Sequence, residues 1–387
     1  MTPEEADRFA QAAAVYVHIP FCSAVCPYCD FAVVAGQDQL AERYVEAVCS
    51  EIGRANPWRP LESVYLGGGT PSHVHPALLT RILAALTEKH GLAADAEVTL
   101  EANPEDFDVA RATDLRAGGF NRVSFGAQSF DDAVLARLGR RHQADHIVTS
   151  VTSARQAGFE NLSIDLIYGT PGETNESWHD TLRRAISVGP DHVSCYALTV
   201  EPGTPLGLEV RHGGDAPDPD VQADRFESAA EELGAAGFER YEVSNWARPG
   251  HECHYNLTVW AQGEYEAYGN GAHGYRAGRR YRNHRRLDAY IERVESGGSP
   301  RAGHDMVEGW DAELDRLFVG LRRTVGVSSG PGTKALLASD EGRSLLEAAV
   351  ISEENGRIVV TRPLLSDAVH RSVLRQTGPI VLTDSDA

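Results

Sequence analysis

Three cysteines fall within eight residues of the stretch CSAVCPYCDF, at Cys22, Cys26 and Cys29. Their spacing is C-x₃-C-x₂-C, and no fourth cysteine follows at close range. Three thiolates can hold three irons of a [4Fe–4S] cluster and leave the fourth iron open to an exogenous ligand. The competing reading is zinc, with His18 or a distant histidine as fourth ligand. Structural zinc motifs usually come as paired C-x₂-C units, and the chain has no second pair. Cys49 sits among apolar neighbours on an expected helix and reads as a small core residue.

Other chemistry-bearing residues recur at one position in each repeat of the chain. Gly67 to Ser72 reads GGGTPS, a turn whose missing Cβ atoms let the backbone approach a ligand. Glu101 begins the run Glu-Ala-Asn-Pro, and Gln128 ends Gly126-Ala-Gln. Asp165 interrupts an otherwise apolar run, where burial without a partner is expensive; a ligand hydroxyl or amine is the expected partner. Glu101 and Asp165 have an alternative use as helix caps or members of structural ion pairs. Arg140 follows a helical turn and is a site candidate only through its pairing with Gln128; alone it would be a surface cation.

The elements that must position these residues alternate. Strand-like runs at 15–19, 62–66, 97–101, 122–125, 162–168 and 192–197 are separated by helical stretches near 38–54, 76–90, 106–117, 131–157 and 175–188. Six βα units imply an α/β fold with a parallel sheet that curls into a partial (β/α)₆ barrel of TIM type. In such a barrel the site gathers at the C-terminal strand ends, where the cysteine loop, the glycine turn, Glu101, Gln128 and Tyr196-Ala197 all fall. The expected organisation is an N-terminal extension (1–14), a core (15–210), a barrel-completing linker segment (211–300) and a C-terminal domain (301–387). Helices expected at 308–323, 342–350 and 364–374, with a hairpin turn at Glu354 to Arg357, give the last part a winged-helix-like character.

Composition narrows the partners. A net charge of −20 argues against nucleic-acid binding, which needs clustered Lys and Arg. One basic run, Arg276 to Arg286 (RAGRRYRNHRR), is either a solvated loop or an anion-facing segment. The N-terminus lacks a basic and an apolar region, and no run of 18 apolar residues exists, so neither a secretory signal nor a spanning helix is expected. The cysteine usage points to a reducing compartment, with the cytoplasm as default.

With these residues in view, the chain resembles the radical S-adenosylmethionine (SAM) superfamily. More narrowly, YVHIPFC, YLGGGTPS, GAQSF, DLIYGTPGET and YGNGAHG are similar to oxygen-independent coproporphyrinogen III oxidase and its relatives, haem chaperones of the HemW type. The resemblance implies that Cys22, Cys26 and Cys29 bind a [4Fe–4S] cluster whose open iron chelates the amino and carboxylate groups of SAM. It also implies SAM contacts from Tyr16, Tyr28, Gly68, Gly69, Thr70, Glu101, Gln128, Arg140, Asp165 and Ala197. The partners it implies are haem or porphyrin, haem-accepting proteins and an electron donor such as flavodoxin or ferredoxin. Peripheral contact with membrane haem proteins belongs to the same expectation.

Two departures separate the relatives. The oxidase pattern carries a further cysteine two residues after the third, where this chain has Phe31. The chaperone branch carries HNxxYW, and here the segment reads Tyr255-Asn-Leu-Thr-Val-Trp260, matching at Asn256 and Trp260. Tyr255, or His251, Cys253 or His254, is then the expected axial ligand to haem, against a structural β-element that packs Trp260 into the core. The leading expectation is a haem chaperone. The alternatives are an oxidative decarboxylase of coproporphyrinogen III and another radical SAM transferase.

Overall fold

A computed structural model describes residues 1–376. Six strands appear where the alternation places them: β1 (Ala14–Ile19), β2 (Leu61–Gly68), β3 (Leu92–Ala102), β4 (Arg122–Gln128), β5 (Asn161–Tyr168) and β6 (His192–Ala197). A seventh, β7 (Tyr265–Tyr268), also pairs in parallel with β1, giving the order β7-β1-β2-β3-β4-β5-β6. The βα alternation predicts only six; β7 escapes it because it is four residues long and the helix before it, His254–Trp260, is a short one rich in aromatic and β-branched residues. Antiparallel strands extend both edges: His273–Arg276, Arg279–Asn283 and Arg301–Met306 beyond β7, and Asn245–Ala247 beside β6. The molecule is thus a partial barrel of TIM type with a small C-terminal domain.

Period-two alternation decides which side chains reach the interior. Val15, Val17 and Ile19 of β1 are buried in the main hydrophobic cluster, as are Val64 and Leu66, Val98 and Leu100, Val123 and Phe125 of the next three strands. The intervening positions form the other face: Tyr16 and His18, Tyr65 and Gly67, Thr99 and Glu101, Ser124 and Gly126, Ser163 and Asp165, Ser194 and Tyr196. A one-residue slip would exchange the sets, so packing of the apolar face against the helices fixes the polar face inward.

The expected long helical region at 131–157 is two helices, Asp132–Arg137 and Ala144–Gln156. The break falls at Gly139, whose φ is +68° and whose added Cβ would lie 2.6 Å from Pro27 of the cysteine loop. The basic run is likewise no plain loop; most of it forms the antiparallel hairpin His273–Arg276 with Arg279–Asn283.

Helices Gly309–Gly320, Pro331–Ala338, Asp340–Glu347 and Ser366–Leu374 surround a three-stranded antiparallel sheet near the C-terminus. Leu317, Leu321, Leu336, Ile351, Ile358 and Val369 build its own core. Asn355 and Gly356, both at positive φ (51° and 74°), make the tight turn between Ile351–Glu354 and Arg357–Val360. Asp7, from the N-terminal helix, bridges to this part through Arg323 (3.1 Å) and Arg357 (2.7 Å).

Candidate functional site

The loop after β1 is pinned at both ends. Phe21–Cys22 pairs in parallel with Val34–Ala35, and His18 Nε2 lies 3.0 Å from the Ala32 carbonyl. Within it the Cys29 amide donates to the Cys26 carbonyl at 3.1 Å. The three thiols are free and line one cavity of about 530 Å³ at the C-terminal strand ends. Cys22 is buried and Cys26 and Cys29 half-buried. Burial pushes the Cys22 thiol up to about 11, partly offset by Thr70, and raises Cys29 as well. Thr70 Oγ1 donates to Cys22 Sγ and Arg140 Nη1 to Cys26 Sγ, each at 3.5 Å.

This donor set fits a site-differentiated cluster. Three soft ligands on one loop face a cavity, and two of the sulfurs already receive hydrogen bonds of the kind that tune such clusters. Cys253 also borders the cavity, but its thiol donates to Glu97 Oε1 (3.6 Å) towards the N-terminal strand ends.

Around the thiols, Tyr28, Gly68, Gly69, Thr70 and Glu101 border the cavity, and Gln128, Arg140, Asp165 and Ala197 complete its wall. Tyr16 does not border it. Its hydroxyl lies 3.1 Å from His18 Nδ1, and its ring stacks near Tyr65 and Tyr255 at centroid distances of 6.3 and 5.9 Å.

The glycine turn serves protein packing first. A Cβ on Gly67 would stand 2.8 Å from the Glu101 carboxyl, one on Gly68 2.3 Å from the His18 ring, and one on Gly69 2.8 Å from the Ile19 carbonyl oxygen. Side chains of Glu101 and His18 thus fill the room a Cβ would need at Gly67 and Gly68, while the Gly68 backbone still borders the cavity. Glu101 accepts the Gly68 amide and the Tyr65 hydroxyl, each at 2.9 Å. Burial nevertheless pushes its carboxyl up to about 7.

Asp165 finds its hydroxyl partners within the chain. Ser194 (2.6 Å), Ser124 (2.9 Å) and Ser163 (3.3 Å), one from each of three adjacent strands, all donate to its carboxylate. Burial raises its pKa against those bonds. Its expected ligand contact is therefore secondary to a serine cage. Gln128 ends β4 at φ +65°, the left-handed region, next to a register shift between Phe125 and Gln128. The helix break at Gly139 swings Arg140 inward, where its guanidinium donates to Cys26, Asn103 and the Gly126 carbonyl.

Several wall residues escape a reading of motifs. Asn103 accepts from Arg140, and its amide donates to Thr70 Oγ1 at 3.2 Å, so it ties together the residues that touch Cys22 and Cys26. Arg122 is buried beside Glu97 (3.9 Å), and His192 bonds Ser163 and Tyr241, each at 2.8 Å. The inward-facing polar alternation of the strands is the signal that could have found Ser124, Ser194 and Arg122.

The haem-motif segment is a helix, His254–Trp260, not a β-element. It caps the barrel at the N-terminal strand ends, with the His254 amide donating to Glu97 (2.9 Å) and the His254 ring 5.3 Å from Phe9. Tyr255 points into the barrel between Tyr16, Tyr65 and Tyr265. Trp260 lies under the Arg322 guanidinium, 4.6 Å from its ring centroid. Of the four haem candidates, only Asn256 borders the cavity; Tyr255, His254 and Trp260 do not. Aromatic packing and the Glu97 cap explain why the segment coils instead of extending.

The radical SAM superfamily model matches residues 16–185. The heme chaperone HemW of Synechocystis is 40% identical over 326 residues, covering 81% of this chain and 79% of that protein. The heme chaperone HemW of Mycobacterium tuberculosis is 38% identical over 372 residues, covering 93% and 94%. The solved coproporphyrinogen III oxidase HemN of Escherichia coli superposes with a TM-score of 0.81 at 24% identity, over 95% of this chain and 92% of that one. At that identity the superposition speaks for the fold alone. Sequence similarity over most of the chain and the cysteine-lined cavity agree: this chain belongs to the HemW haem-chaperone family of the radical SAM superfamily.

Proposed function

We propose that this protein binds haem and delivers it to haem-accepting proteins, on a scaffold that also holds a [4Fe–4S] cluster and SAM. The observation that carries this reading over the oxidase is Phe31. It stands where the oxidase pattern has a cysteine, and its side chain is 67% exposed at the rim of the cluster cavity. A phenyl ring supplies no thiolate there. The named relatives described above are haem chaperones, which supports the same choice.

In this reading Cys22, Cys26 and Cys29 would hold the cluster, which would supply a chelation point for the amino and carboxylate groups of SAM. Tyr28, Gly69, Thr70, Gln128, Arg140 and Ala197 form the SAM wall. Gly68, Glu101 and Asp165 belong to the same wall, and Tyr16 supports Tyr65 from outside the cavity. An electron donor of flavodoxin or ferredoxin type would be the partner that supplies reducing equivalents to such a cluster. The protein works in the cytoplasm and meets membrane haem proteins from outside the bilayer; no helix among the described residues is long and apolar enough to cross it.

The test is a side-by-side assay on anaerobically cluster-loaded protein. Haem binding with no conversion of coproporphyrinogen III is the expected result. Turnover of coproporphyrinogen would overturn the chaperone reading. The cavity wall keeps every expected SAM residue except Tyr16 in contact with it, which favours a SAM-cleaving transferase as the second reading. Release of 5′-deoxyadenosine that depends on a specific substrate would establish that alternative.

A further inference from the structure

Tyr28, Tyr65 and Tyr196 border the cluster cavity, and Tyr65 carries a built-in base. It donates its hydroxyl to Glu101 Oε1 at 2.9 Å. Its cross-strand partner Tyr16 lies outside the cavity and stacks on it, with ring centroids 6.3 Å apart and 22° between the planes. The Tyr16 hydroxyl lies 3.1 Å from His18 Nδ1. Because His18 Nε2 faces the Ala32 carbonyl at 3.0 Å, that nitrogen carries the ring proton, and Nδ1 accepts from Tyr16. Tyr255 closes the group, 5.2 Å from Tyr65 and 5.9 Å from Tyr16, at the position where HNxxYW has histidine.

A phenol gives up an electron far more readily when its proton can leave in the same step, so the strength of the acceptor decides which ring is oxidised. Burial pushes the Glu101 carboxyl up to about 7 and the His18 imidazole down to about 4. Glu101 is thus roughly a thousandfold the better proton acceptor. The electron hole therefore settles on Tyr65, the ring that also touches the cavity. Tyr16 and Tyr255 turn electron-rich ring faces towards it, which favours the loss of an electron there. Tyr241, Tyr268 and Tyr290 also bond a carboxylate or an imidazole, but none of those rings borders the cavity.

We propose that Tyr65 and Glu101 form a redox-active tyrosine–carboxylate pair that surrenders one electron to oxidants arising in the cavity. The inference rests on the reading that Cys22, Cys26 and Cys29 hold an iron–sulfur cluster, and it adds a function that reading does not contain. The oxidant is of the class that peroxide yields at protein-bound iron, with the hydroxyl radical as its simplest member. One electron leaves the Tyr65 ring and reduces the hydroxyl radical to hydroxide. The phenolic O–H bond breaks, and its proton forms a new O–H bond on Glu101 Oε1. The products are a neutral tyrosyl radical and a neutral carboxyl. A thiolate reductant entering the cavity returns the electron and becomes a thiyl radical, and Glu101 returns the proton. Oxidation is thereby drawn to a ring that is restored and away from the cluster thiolates.

The test treats anaerobic, cluster-loaded protein with hydrogen peroxide, freezes it rapidly and records the electron-spin spectrum at liquid-nitrogen temperature, where iron–sulfur signals are broadened away. The wild type is expected to show a tyrosyl signal that narrows when the protein carries ring-deuterated tyrosine. Tyr65→Phe should lose most of that signal while keeping the iron–sulfur absorbance, and peptide mass spectrometry should find more oxidised residues in the cavity wall. Glu101→Gln keeps a hydrogen-bond acceptor but takes no proton, so it should lose the signal too. Tyr16→Phe and Tyr290→Phe should retain it; Tyr290 donates to Glu51 at 2.6 Å and tests the same chemistry away from the cavity. A wild type without the tyrosyl signal overturns the pair. So does a full signal in Tyr65→Phe or Glu101→Gln, or its loss in Tyr16→Phe or Tyr290→Phe. A wild type that assembles no cluster overturns the three-thiol reading itself, a result that its absorbance separates from the others.

Discussion

Glu101 Oε2 accepts the backbone N–H of Gly68 at 2.9 Å, joining the end of β3 to the glycine turn of β2. The same carboxylate takes the Tyr65 hydroxyl through Oε1, so one acid holds the turn at two points. The turn in turn carries Thr70, which donates to Cys22 Sγ. The cavity wall is therefore braced by residues that a motif reading assigns to ligand contact.

Gly68→Ala should be strongly destabilising. Its φ is +111°, and the added methyl would meet the His18 ring. Left-handed strain and overpacking together are worth about 2–5 kcal/mol. Thermal unfolding should show the loss; an unchanged melting temperature would mean that the turn relaxes freely.

The raised Glu101 carboxyl makes stability depend on pH. Its ordinary value is 4.5 and its folded value about 7, so between these the native state binds more protons than the unfolded chain. Stability contributed by this group is then complete below about pH 4.5, falls as pH rises, and levels off above about 7. The slope from one group is at most about 1.4 kcal/mol per pH unit. Glu101→Gln should flatten that portion of the melting-temperature profile measured on cluster-free protein, and an unaltered slope would assign it elsewhere.

Asp165→Asn tests the serine cage. An amide nitrogen cannot accept from Ser124, Ser163 and Ser194, so at least one hydroxyl loses its partner, a cost of about 1–3 kcal/mol. Stability and SAM affinity should both drop, the latter read by equilibrium dialysis. Ser194→Ala should produce a smaller loss in the same direction.

Alanine at Cys22, Cys26 or Cys29 should abolish the iron–sulfur absorbance, whereas Cys49→Ala should leave it. Cys49 sits on the helix Ala41–Arg54, its thiol 3.9 Å from the Arg81 carbonyl and far from the loop in its contacts. Arg140→Gln should retain the cluster but shift its reduction potential, because the guanidinium no longer donates to Cys26 Sγ. Loss of the cluster in Cys49→Ala would refute the three-ligand assignment.

Much of the barrel was legible because strand and helix periods are local properties. Helix Pro76–His90 and strand His192–Ala197 fall on the residues that their patterns mark. The split of 131–157 was not legible: Ala, Val and Leu continue a helical pattern up to Leu138, and only the approach of Pro27 gives Gly139 its reason. The His254–Trp260 helix was hidden for a similar cause, since β-branched and aromatic residues read as strand until Glu97 caps it and three tyrosines enclose Tyr255.

By itself, then, the chain determined the βα alternation, the three-thiol loop and the family, because each resides in spacing along the backbone. Tertiary structure decided the rest. Serines 124, 163 and 194 turned Asp165 from a free ligand site into a caged carboxylate, and Phe9 and Glu97 drew His254 away from the cavity. Strand register also gathered His273, Arg280 and Arg282 on one face. Such juxtapositions depend on which strands pair and which face the helices cover, and neither is encoded in any short stretch of sequence.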